Sequence, residues 1–243
     1  MEPAHSALEQ AALPCYYERT GAGFMKKKEK VAVLKSILLA LGDTSAYFQI
    51  ESDLAFVKPI GNCYRGIFIE DSRWDKDVFY VEIFFCPLHR PSDLVYFNNG
   101  GRIRRGNSLV GYDAWKKENI EDIAAIVKKD VLSALLYSYT DEKVLSLLNK
   151  TKKDSTSLIT LEARILLAAR ISDMKTLQSA YKVMMQNLYI DRFSWHKGIF
   201  ERIETIMQNR HDIRFIKDLT DKWKDETAKS LKLEPYLQDE SKT

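Results

Sequence analysis

Between Ser92 and Glu234 the chain contains no proline, and nine of its ten glycines lie at or before Gly111. Glycine serves turns and strained backbone, proline ends strands and breaks helices, and both are costly inside a helix. A glycine-dotted, aromatic first part followed by a breaker-free second part therefore predicts a sheet and then helices. The expected fold class is α+β: an N-terminal helix plus a small antiparallel sheet, followed by an all-α helical bundle or short α-solenoid.

In the first part, Val31, Leu34, Leu38 and Leu41 recur at helical spacing, Ile37 widens the stripe, and Gly42 stands where a C-terminal glycine cap belongs. Aromatic and β-branched residues predict strands at Tyr47–Glu51, Tyr64–Asp71 and Val78–Cys86. The third has apolar residues on both faces and is expected to be central. Arg65 and Glu82 are candidates for a cross-strand pair. Asn98-Asn99-Gly100-Gly101 predicts a second hairpin, joining Leu94–Phe97 to Arg102–Arg105, and Asp113 is expected to cap the first helix of the second part.

That helix carries Ile120, Ile123, Ala124, Val127, Val131, Leu135 and Tyr139. Asp141 then offers a cap for a short helix, and further helices are predicted over Leu158–Arg170, from Asp173 through Leu188, over Ser194–Asn209 and over Asp212–Lys229. The stretch from Ala163 to Tyr181 resembles one helical hairpin of tetratricopeptide type, although its repeat period does not recur. The expected organisation is an appendage over 1–24, an α+β unit over 25–112, a helical unit over 113–235 and a polar tail over 236–243. Met25 is the expected functional start.

With 37 Lys and Arg against 34 Asp and Glu, the net charge of +3 gives no polycationic signature for nucleic acid. Three cysteines, Cys15, Cys63 and Cys86, lack the close pairs of zinc sites and cannot complete a disulfide framework; Cys63 and Cys86 are expected in the core. No apolar run approaches the length of a membrane span, and no secretory pattern opens the chain. A cytoplasmic location, no membrane partner and no cofactor are therefore expected.

The densest polar cluster is Pro87-Leu88-His89-Arg90-Pro91-Ser92-Asp93, directly after the aromatic strand. Two prolines stiffen this loop, while His89, Arg90 and Asp93 supply a titratable base, a forked donor and an acceptor suited to a polar partner. The alternative is that the prolines end a strand and Asp93 caps the next turn. Phe84, Phe85, Pro87, Leu88, Pro91 and Asp93, with Gly101 and Arg102 beyond, resemble a set of uncharacterised bacterial proteins in which an aromatic strand runs into Pro-Leu-x-x-Pro-x-Asp. This resemblance covers about residues 60–105 and implies a fold unit and a bacterial setting, with no assigned activity. The helix-then-sheet layout is also similar to that of small bacterial immunity and defence-associated proteins.

Arg102, Arg104 and Arg105 follow the glycine turn and could clamp phosphate, or form the solvated rim of a hairpin tip. The loop has neither the Walker nor the dinucleotide pattern. Glu70, Asp77 and Glu82 would form a nuclease-type metal site only if strand register brought them together, and no lysine stands two residues beyond Glu82. No histidine pair has helical metal-ligand spacing. The function expected is a non-enzymatic bacterial protein-binding module, such as an immunity or defence-accessory factor, acting through His89, Arg90, Asp93, Arg102, Arg104 and Arg105. The alternative is a nucleic-acid-binding protein, up to a metal-dependent nuclease, using a basic strip from Arg102 to Lys117.

Overall fold

The computed structural model describes residues 25–72, 78–95, 100–105, 108–109, 112–113, 117–136, 140–150, 157–186 and 194–237. Expectations for residues 1–24, for Asp75, Asp77, Tyr96 to Asn99, Lys116 and for 238–243 lie outside these residues. The architecture is α+β, as the distribution of glycine and proline predicts.

The first helix, α1, runs over Lys27–Ala40. Glu29 in its first turn accepts from the Lys26 backbone N–H at 2.5 Å, and beyond its end Gly42 adopts a φ of +69°, the left-handed conformation expected there. Val33, Leu34, Ile37 and Leu38 are its buried face. A 3-10 turn over Gly42–Tyr47 leads into β1 (Phe48–Glu51), followed by β2 (Leu54–Val57), β3 (Cys63–Asp71) and β4 (Val78–Pro87). Short strands β5 (Gly101–Arg102), β6 (Arg104–Arg105), β7 (Ser108–Leu109) and β8 (Tyr112–Asp113) complete the set.

The main sheet has the order β1-β2-β3-β4-β5, with β8 also pairing β4, while β6 and β7 pair separately. The central position expected of β4 is thus observed. Arg104 and Arg105 pair with Leu109 and Ser108, and Asp113 pairs with Val78 as part of β8.

The helical part begins with α2 (Lys117–Ile126), a π turn over Val127–Val131 and α3 (Leu132–Leu136). Spacings of four residues, from Val127 to Val131 to Leu135, overshoot an α-helical turn by about 40° each. The wider π turn takes up that drift, and Ile123, Val127, Val131 and Leu135 all stay buried. After it come α4 (Asp141–Lys150), α5 (Leu158–Arg170), α6 (Met174–Gln186), α7 (Ser194–Gln208) and α8 (Ile213–Ser230). Asp173 and Asp212 cap α6 and α8, accepting from Thr176 and Phe215 N–H at 3.0 and 2.9 Å. Helix α5 packs against α4, α6, α7 and α8, and every residue from Ile159 to Arg170 except Arg164 is buried. A helix apolar nearly all round belongs at the centre of a bundle.

Two compact units result. Unit 1 comprises the chain up to Phe56 with residues 66–83 and 102–136; unit 2 comprises residues 57–65, 84–101 and 137–243. Each unit draws on separated stretches of the chain.

One glycine in unit 1 is required by close approach. Gly66 pairs with Phe56 across β2 and β3, and a Cβ built on it would lie 2.1 Å from Ala55 O and 2.7 Å from Phe56 Cα. Backbone, not a movable side chain, is in the way. The Gly66→Ala variant should therefore lose at least about 2 kcal/mol of stability, read as a lower denaturant midpoint; unchanged unfolding would show that β2 has room to shift.

Candidate functional site

Pro87 ends β4, and the Leu88 N–H bonds to Asn62 O at 3.0 Å, which turns the following residues inward within unit 2. Leu88, His89 and Arg90 are consequently 0%, 1% and 7% exposed. The expectation that His89 and Arg90 face a partner is corrected: both side chains are inside the fold. Asp93 is exposed.

Arg90 meets Glu162, a residue of α5 with no exposed surface, through Nε at 2.5 Å from Oε2. Arg202 of α7 holds the other carboxylate oxygen, with Nε and Nη2 each 2.7 Å from Oε1. One buried carboxylate is thus clamped by two guanidiniums. Thr227 of α8 donates to Arg90 O at 3.0 Å and accepts from the Ser92 N–H at 3.2 Å, fixing the loop backbone on both sides of Pro91.

His89 lies in a second cluster. Its Nε2 is 3.2 Å from Asp141 Oδ1, and its Nδ1 is 3.3 Å from Thr220 O and 3.7 Å from Asp221 Oδ1. Arg170, the last residue of α5, bridges Asp141 and Asp221, at 2.8 Å to each. Asn62 donates to Asp141 Oδ1 at 2.9 Å and in turn accepts from Lys224 Nζ at 2.9 Å. Asp141 was expected as a helix cap; its carboxylate is instead taken by these groups. Burial alone would raise its pKa, but the hydrogen bonds and charges of His89 and Arg170 hold it well below the usual carboxylate range.

Neither cluster presents a nucleophile. The Thr220 hydroxyl is occupied by Arg170 and by Ile216 O, and burial beside Cys86 pushes the Cys63 thiol up to about 12, the state of the core cysteine expected. The clusters join the Pro87–Pro91 loop and residue 62 to α4, α5, α7 and α8, which is a scaffolding role.

Arg102 belongs to unit 1. Its Nε lies 3.0 Å from both Glu70 Oε2 and Glu82 Oε1, its Nη2 lies 2.6 Å from Glu70 Oε2, and its guanidinium sits 4.0 Å over the Tyr80 ring. Strand register therefore does bring Glu70 and Glu82 together, on the Arg102 guanidinium. Arg65 donates to Cys63 O at 3.1 Å. Half-burial and the neighbouring Glu70 push the Glu82 carboxyl up to about 7, against the pull of Arg102. Arg104 and Arg105 lie in β6, with their side chains outside the described residues.

Among the described residues there is no group of three or more His, Cys, Asp or Glu able to hold a metal, and no helix long and apolar enough to cross a membrane. The chain matches no family model, no curated protein and no solved structure.

Removing the Glu162 carboxylate leaves two cations without their shared partner, so Glu162→Ala should cost about 3 kcal/mol or more, measured by chemical denaturation; a neutral result would show that Arg90 and Arg202 reach solvent instead. The shifts of Asp141 and Glu82 act in opposite directions on stability. Asp141, with its folded pKa lowered, stabilises above its unfolded value near 3.8, and this is lost as pH falls below it; Asp141→Asn should lose stability at neutrality and flatten that acid limb. Glu82, with its folded pKa raised, favours folding below about 4.5, an advantage lost as pH rises through about 7. Glu82→Gln should therefore raise the melting temperature at pH 8 relative to the native chain more than at pH 5, and equal effects at both would refute the assignment.

Proposed function

We propose that this chain is a non-enzymatic protein-binding module whose contact surface is the corner of unit 1 where α1 passes into β1. The carrying observation is that Leu39 and Tyr47, two large apolar side chains, are 51% and 53% exposed there. Residues 36–50 carry a single charge, Asp43, and Ala40, Gly42 and Ala46 are exposed beside them. Interface cores are depleted of charge and anchored by large apolar and aromatic side chains, whereas scattered exposed hydrophobics are ordinary. Here they share one chain corner, and α1 contacts both the 3-10 turn and β1.

The pairing of the buried charges within unit 2 supports a structural role for them, and so favours binding over catalysis. The nucleic-acid reading is weakened at Arg102, whose charge is met by Glu70 and Glu82. The proposal does not extend to immunity or defence, for which no observation speaks.

The test compares the native chain with a Leu39→Asp/Tyr47→Asp double variant as tagged baits in lysate of the native host, with and without nuclease. A stoichiometric protein that survives nuclease, is held by the native bait and drops at least about tenfold on the variant, with the variant's melting temperature retained, is the expected result. Capture that is equal for both baits, or that disappears with nuclease, would overturn the proposal.

A further inference from the structure

Unit 1 brings two carboxylates to one cation. Glu70 reaches it from β3, Glu82 from β4, and Arg102 is the cation, on β5. The Arg102 Nε carries a single hydrogen, which Glu70 Oε2 and Glu82 Oε1 share at 3.0 Å each. A donor divided within ordinary hydrogen-bond angles keeps its two acceptors within about 4 Å of each other. The Glu70 and Glu82 side chains are 28% and 16% exposed, so water screens the repulsion between two such oxygens only in part.

One guanidinium balances one carboxylate, not two. Its Nη2 goes to Glu70 Oε2 at 2.6 Å, so Glu70 has two contacts with the cation and Glu82 a share of one. Tyr80, beside Glu82 on β4, lies under the same guanidinium at 4.0 Å and adds no charge. Among the described residues, the charged groups that meet Glu82 are thus Glu70 from β3 and Arg102 from β5. Glu82 is therefore the member of the pair that takes up a proton. Once protonated it has an acceptor at hand, since its hydroxyl donates to Glu70 while Glu70 stays bound to Arg102. Burial and the neighbouring Glu70 push the Glu82 carboxyl up to about 7, in agreement with this arrangement.

We infer that Glu70 and Glu82 hold a single proton between them, with Arg102 as their common cation, and that its release to solvent turns the cluster from neutral to singly negative. This makes the sheet face a pH-sensitive device. Below about 7 a side-chain hydrogen bond joins β3 to β4; above it the two carboxylates repel and Arg102 alone holds them. The device is independent of the contact surface proposed at the α1 corner.

The test follows the glutamate side-chain carboxyl carbons of the full chain by carbon NMR from about pH 5 to about pH 9, each resonance assigned through its own Cβ and Cγ. The Glu70 and Glu82 carbons should both move through one common midpoint near 7, because one proton serves both. In Glu70→Gln the neighbouring charge is gone and Arg102 is left to Glu82. The Glu82 midpoint should then fall by at least about one pH unit, a tenfold weaker hold on the proton. An unmoved midpoint in that variant would show that burial alone retains the proton, and would overturn the sharing. Should Glu70→Gln fail to fold, the native chain decides: a Glu70 carbon with no step at the Glu82 midpoint would overturn it equally.

Discussion

A carboxylate with no exposed surface is tolerable only where cations come to it, and Glu162 in the middle of α5 imposes that condition on unit 2. Arg90 arrives from the loop after β4 and Arg202 from α7, so one side chain dictates where a loop and a helix must lie against the central helix. About two turns further along α5, Arg170 makes a comparable demand on Asp141 at the start of α4 and on Asp221 in α8. Apolar packing sets that α5 is surrounded. The ion pairs set by which residues, because greasy helix faces alone would accept several rotations of each neighbour.

Unit 1 relies on a different constraint, the closeness of two backbones. Gly66 lets β2 approach β3 at a distance no side chain permits, and the sheet that follows offers one face carrying Glu70, Tyr80, Glu82 and Arg102. That face is electrically self-contained to a large degree. The α1-to-β1 corner is instead nearly free of charge while retaining exposed apolar surface, and this contrast within one unit is what separates a structural polar cluster from a contact surface.

The sequence made the helices readable because a long absence of breakers leaves periodicity undisturbed, and Asp173 and Asp212 marked two helix starts correctly. β2 escaped notice because Leu54–Val57 is short and its turn uses Ser52 where glycine or asparagine would have announced a hairpin. The π turn was invisible as such, although the repeated four-residue spacing through Val127, Val131 and Leu135 was its trace. The site was misread for a physical reason. A histidine and an arginine between two prolines look like a surface loop when their partners, Asp141 and Glu162, stand far along the chain. The missed signal was within α5 itself: Glu162 and Arg170 stand in a mostly apolar run where, unlike Arg164, they are buried, and buried charges require partners.

The division of β3 and β4 between the two units has a consequence for the life history of the chain. Residues 63–65 and 84–87 serve one unit while 66–71 and 78–83 serve the other, so each strand is common property. Neither unit corresponds to an uninterrupted stretch that a ribosome could finish and release to fold before the other is made. Unit 1 is complete only when residue 136 has emerged, and by then unit 2 has already contributed its segments 57–65 and 84–101. No single cut along the chain therefore separates the residues of one unit from those of the other.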